Sequence, residues 1–190
     1  MSVSLSAAAQ NAATGRTNGV VRLTLREAPP VPLEAERLSP DVIAGLDNAS
    51  IAALPVCLGK RQVRVDDFFT VEGEASEHLE LHGDCLRVKW IGRAMTKGRI
   101  DVHGNAGMHT GAHIKGGEIH VHGRTSDWLG AEMAGGLIHV RGNAGGQIGA
   151  AYRGDVTGMR DGTIVVDGSA GLEVGMRMKR GIIAIKGRVG

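Results

Sequence analysis

A glycine-framed segment recurs five times in the second half of this sequence, and few folds are open to a chain built this way. Gly98-Arg99-Ile100-Asp101-Val102-His103-Gly104 returns at 117–123, 136–142, 162–168 and 181–187, with starts spaced 19, 19, 26 and 19 residues. A second glycine follows at a fixed distance, at Gly111, Gly130, Gly149 and Gly175. Repeats this short cannot bury a core alone, so they must stack on one another.

Each repeat holds one alternating strand, with Ile100 and Val102 on one side and Asp101 and His103 on the other. The inner column reads Leu79/Leu81, Ile100/Val102, Ile119/Val121, Ile138/Val140, Ile164/Val166 and Ile183/Ile185. β-Branched residues dominate it, as a strand favours. A second inner column is expected at Ile91, Thr110, Leu129, Ile148 and Val174, and a third at Met95, Ile114, Met133, Tyr152 and Met178. Small residues at Ala106, Thr125, Ala144 and Ala170 turn the corner between strand and second column. Three apolar ladders with glycine corners predict a mainly β chain: a right-handed parallel β-helix over 78–190, its equivalent strands about 4.8 Å apart. Helical solenoids need longer repeats and would be weakened by this much glycine. The leucine and asparagine spacing of a leucine-rich repeat and the fixed aspartates of calcium-binding nonapeptides are both missing.

The first half reads differently. Residues 1–19, rich in Ala, Asn and Ser, suggest a flexible tail. Residues 20–77 suggest a small α+β cap: a strand at 20–26, ended by Pro29, Pro30 and Pro32, then a helix after Ser39-Pro40 and a second one capped by Ser50. Val63, Val65, Phe68, Phe69 and Val71 lead into the repeats. Such a cap is expected, because an open first coil would expose core and strand edges. The sequence stops at Gly190, where a new turn begins, as though the chain were cut short or a partner covered that end.

Charge separates the halves. Residues 1–77 carry 7 Lys/Arg against 10 Asp/Glu, whereas 78–190 carry 15 against 10. The basic half lacks interleaved aromatics, which argues against nucleic acid and for an acidic protein surface or a polyanionic small molecule. Two distant cysteines, Cys57 and Cys85, suit reduced structural thiols. No leader or long apolar run is seen, so the expectation is a cytoplasmic protein without a membrane segment.

Two features bear on chemistry. Histidines fall in the outward column at His82, His103 and His122, with His120 and His139 beside them. No carboxylate or thiolate recurs beside these imidazoles in the linear pattern, so no metal site is assigned to them. The fourth repeat is seven residues longer than its neighbours, with Ala150-Ala151-Tyr152-Arg153-Gly154-Asp155-Val156-Thr157-Gly158-Met159-Arg160-Asp161 standing between Gly149 and Gly162. An insertion in a stacked array projects from one face, often the binding face. Arg153 is the leading candidate for gripping carboxylates, followed by Arg141 and Lys115, with Tyr152 beside them. No order of residues suggests a nucleophile, an acid/base pair or a phosphate loop.

The repeats, with Val65-Asp66-Asp67-Phe68-Phe69-Thr70-Val71-Glu72-Gly73, Asp127-Trp128-Leu129-Gly130-Ala131-Glu132-Met133 and Tyr152-Arg153-Gly154-Asp155, resemble the C subunit of formylmethanofuran dehydrogenase. They look still more like its bacterial counterpart, the C subunit of the formyltransferase/hydrolase complex. The looser GXGXG pattern is also similar to the C-terminal domain of glutamate synthase. The resemblance covers about residues 59–190, and the modest Lys and Glu content favours the bacterial complex. It implies a scaffold without catalytic residues of its own, in a hetero-oligomer with a formyltransferase subunit and a metal-dependent amidohydrolase-like subunit. There a formyl group moves between tetrahydromethanopterin and a methanofuran-type carrier and leaves as formate. The carrier's polyglutamate tail is the polyanion the basic half would hold. A tungsten or molybdenum formylmethanofuran dehydrogenase, or an independent enzyme with a metal on the histidine ladder, are the alternatives.

Overall fold

The computed structural model describes residues 19–190, so the expected tail, Gly19 apart, lies outside the described residues. Strand β1 (Val21–Leu25) opens the fold. It is followed by β2 (Leu33–Glu34), helix α1 (Pro40–Ile43), helix α2 (Asn48–Ala52), β3 (Pro55–Leu58), β4 (Arg61–Arg64), a 3-10 turn (Val65–Asp67) and β5 (Phe69–Gly73). The repeats supply β6 (His78–His82), β7 (Val88–Lys89), β8 (Arg99–His103), β9 (Glu118–Val121), β10 (Ala134–Val140), β11 (Asp161–Val166) and β12 (Ile182–Ile185).

The glycine-framed strands pair in parallel and in register. Leu79 lies beside Ile100, Ile100 beside Ile119, Ile119 beside Ile138, Ile138 beside Ile164 and Ile164 beside Ile183. The large sheet runs β12-β11-β10-β9-β8-β6-β1-β5, so β1 extends the same sheet, parallel to β6, and β5 closes it antiparallel. A smaller sheet of order β4-β3-β2-β7 joins the first half to the first coil. One apolar cluster runs through both halves.

The columns read from the sequence form the core except on the last coil, where Val174, Met178, Ile183 and Ile185 are half-buried. Ile91, Leu129 and Ile148 are fully buried, as are Met95, Ile114 and Met133. Thr110 sits in the second column without penalty, because its hydroxyl donates to the Gly107 carbonyl at 3.0 Å. Cys85 heads the corner column, bridged to Ala106 and then Thr125. One member of the third column differs from expectation. Met159, fully buried, donates its backbone N–H to Gly149 and fills that place, while Tyr152 turns outward. The inserted residues displace the register, and the apolar side chain that follows them is the one that fits.

The helix caps also differ from expectation. Ser39 precedes Pro40 but makes no side-chain cap bond; its carbonyl carries the first turn instead. The second helix is capped by Asp47, which accepts from the Ser50 N–H at 2.7 Å, so Ser50 is the capped residue rather than the cap.

Candidate functional site

Two faces collect the chemistry-bearing side chains. The first is the corner where each repeat enters the second column. Trp90, His109, Trp128, Gln147 and Glu173 hold equivalent places there, at φ of 65°, 64°, 64°, 56° and 61°. Left-handed backbone costs a non-glycine residue about 1 kcal/mol or more, so each coil carries local strain at this corner. Coil stacking brings the rings together. Trp90 lies 4.1 Å from His109 in a parallel stack, and Trp128 lies 4.8 Å from Tyr152. His109 Nδ1 and the Tyr152 hydroxyl are 2.8 Å apart, and the Tyr152 ring is 5.6 Å from His113. The Arg93 guanidinium stands 5.1 Å over Trp90. Both tryptophans and the only tyrosine of the sequence therefore share one face.

Burial favours the uncharged form of the corner's imidazoles and phenol. It draws the His109 imidazole down to about 4, helped by Lys89, and lowers His113 despite the nearby Glu132 carboxylate. Burial raises the Tyr152 phenol. The inserted turn starts here. The Tyr152 N–H donates to Glu132 Oε1 at 3.0 Å, Arg177 donates to the Asp155 carbonyl, and Val156 projects at 76% exposure.

The second face is the outer side of the large sheet. Asp101 points outward yet is only 4% exposed, because Arg99, His78 and His122 close over it. It accepts from Arg99 Nε at 2.5 Å and Nη2 at 2.9 Å, and His78 Nε2 lies 2.7 Å away. Burial pushes this carboxyl upward, but those hydrogen bonds outweigh it and hold it well below the usual carboxylate range. Glu80, one strand over, repeats the arrangement with Arg22 at 3.0 Å, His82 at 3.1 Å and His103 at 3.8 Å. Carboxylates therefore do accompany the imidazoles, contrary to the expectation from the linear pattern. The pairing brings Glu80 and Asp101 alongside rings of neighbouring coils. His82, His103 and His122 form a stack with centroids 4.3 and 4.7 Å apart, and His120 meets His139 edge to face at 6.1 Å.

The sequence candidates do not all converge. Tyr152 and Arg153 share the inserted turn, and Arg153 bonds neither Asp155 nor Asp161 among the described residues. Lys115 is exposed just after the third column, in the place that Arg160 and Lys179 hold on later coils. Arg141 follows β10 in the outward column after His122, on the other face. The corner residues Trp90, His109 and Trp128 escaped notice in the sequence, although their spacing of 19 residues was the available signal.

No family model matches the chain. Over 95 residues it is 44% identical to the C subunit of the tungsten-containing formylmethanofuran dehydrogenase 2 of Methanothermobacter wolfeii, covering 47% of this chain and 35% of that protein. Over 94 residues it is 41% identical to the C subunit of the molybdenum-containing formylmethanofuran dehydrogenase 1 of Methanosarcina barkeri, covering 47% of this chain and 31% of that one. The chain thus spans about a third of the length of these relatives. A chain in the X-ray crystal structure of the formyltransferase/hydrolase complex (FhcABCD) from Methylorubrum extorquens, in complex with methylofuran, is also similar. It matches with a TM-score of 0.84 at 28% identity, over 88% of this chain and 63% of that one. The resemblance carried by the repeats is borne out by these matches.

Proposed function

We propose that this chain is the non-catalytic scaffold of a cytoplasmic one-carbon formyl-transfer complex, folded as a right-handed parallel β-helix of the GXGXG type over 78–190 behind an α+β cap at 20–77. The observation that carries this reading is the match over 88% of the chain to a component of the formyltransferase/hydrolase complex. The similarity to the C subunit of the archaeal dehydrogenases points the same way. Tungsten and molybdenum in those names describe the relatives. Cys85, the buried thiol here, is pushed up to about 12 by burial, which suits a core side chain better than a metal ligand.

Partner subunits, a formyltransferase and a metal-dependent amidohydrolase-like one, would dock where the aromatic corner meets the inserted turn. Trp, Tyr and Arg concentrate the energy of many interfaces, and the corner presents all three, with the exposed Val156 on the same inserted turn as Tyr152. The polyglutamate tail of a methanofuran-type carrier would meet Arg153 first, with Lys115 and Tyr152 on the same side, whereas Arg141 would serve a different stretch of tail or partner. In cells lacking this chain, formyl transfer from tetrahydromethanopterin should be lost while the partner subunits are still made, and returning the chain should restore it. Full transfer activity in its absence contradicts the scaffold reading.

A further inference from the structure

Glu80, His82 and His103 bring three ligand atoms within 4.8 Å of one another on the outer face of the large sheet. The register makes this arrangement. His82 pairs directly with His103 across β6 and β8, and Glu80 lies two residues before His82 on the same side of its strand. We propose that these three side chains bind one divalent transition-metal ion of the zinc class, through a carboxylate oxygen and two imidazole nitrogens, leaving a position open to water.

Zinc holds imidazole and carboxylate donors at about 2.0–2.2 Å, which places the donors roughly 3.3–3.6 Å from each other in a tetrahedron. Glu80 Oε2 is already 3.1 Å from His82 Nε2, and Glu80 Oε1 is 3.8 Å from His103 Nε2. What remains is to turn the carboxylate so that one oxygen serves both imidazoles, and to fan the two rings, now parallel within 17°, so that their lone pairs converge. Both side chains are about one third exposed, and their outer edges have room to turn. His122 stacks behind His103 at 4.7 Å and positions it. Imidazole and carboxylate without thiolate match zinc and its neighbours better than soft ions. Arg22 works against the ion, since its guanidinium bonds the same Glu80 oxygen. The side chain is 49% exposed and can swing into solvent when a metal arrives.

The test is titration of chelator-treated full-length protein with zinc chloride, followed by calorimetry and melting, with cobalt(II) as the spectroscopic probe. One ion per chain is expected, with a melting temperature that rises with zinc concentration and a cobalt spectrum of four-coordinate intensity. His82→Ala and His103→Ala should each weaken binding by about tenfold or more while melting as the wild type does without metal. Arg22→Ala should tighten it, which a merely structural role for these residues would not produce. His120→Ala and His139→Ala should leave it unchanged. Absence of stoichiometric binding, binding that survives both His82→Ala and His103→Ala, or loss in the His120 and His139 variants instead would overturn the proposal. The inference does not rest on the formyl-transfer reading, and its failure would leave that reading intact.

Discussion

Gly111 has a φ of +67°, and a methyl group placed there would come within 2.4 Å of Ile138 Cδ1 on the next coil but one. Gly111→Ala therefore meets strain and a clash together, and it should lower unfolding free energy by about 1–3 kcal/mol in denaturant titration. Gly45→Ala, at a site with nothing within 4 Å, should be nearly neutral. Asp101 gives a pH-dependent case. Its carboxyl is depressed in the folded state, so the stability it adds is complete above the unfolded value of about 4 and is lost as pH falls below it. Asp101→Asn should cost about 2 kcal/mol near neutrality, and the gap to wild type should close on acidification below about pH 4. A gap that stays constant across that window contradicts the ion-pair account. The burial of Asp101 was hidden in the sequence. Alternation assigns it to solvent, and it is covered by Arg99 of its own strand together with His78 and His122 from either side.

Among elements, the strands were legible because a two-residue alternation and a 19-residue period together leave one register that buries Ile119, Ile138 and Ile164. Val121→Asp would put a charge into that column and should cost about 3 kcal/mol or more, seen as a collapsed melting temperature. The inserted turn was legible as an insertion but not in its consequence. Reading the period straight through places Tyr152 in the core, whereas advancing 26 residues from Met133 reaches Met159, which is the buried residue. The corner rings were missed for a related reason. Glycine marks left-handed backbone in a sequence, but Trp90, His109 and Trp128 adopt it without that mark. If this corner is a docking face, Trp128→Ala should preserve the melting temperature within about 1 kcal/mol of stability yet weaken retention of partners, because it lies outside the core. Equal retention by Trp128→Ala and wild type in a pull-down would move the interface elsewhere.

For the molecule as a whole, the excess of positive charge lies in the half built from repeats, and the aromatic side chains outside the first half gather on one of its corners. No helix among the described residues is long and apolar enough to cross a membrane. The outer sheet face brings imidazoles and carboxylates of neighbouring coils into hydrogen-bonded clusters, whereas burial favours the uncharged rings of the aromatic corner, so the two suit different occupants. On the proposed reading, function was legible only through resemblance, since a scaffold carries no reacting group whose spacing could announce it. Whether this chain works as the scaffold of a formyl-transfer assembly is decided by isolating the tagged full-length protein from its own cells under mild salt and measuring the mass and composition of what elutes. The expected product is a hetero-oligomer containing a formyltransferase and an amidohydrolase-like protein, dissociating as salt is raised. Elution as a lone chain at every salt concentration would contradict the scaffold role.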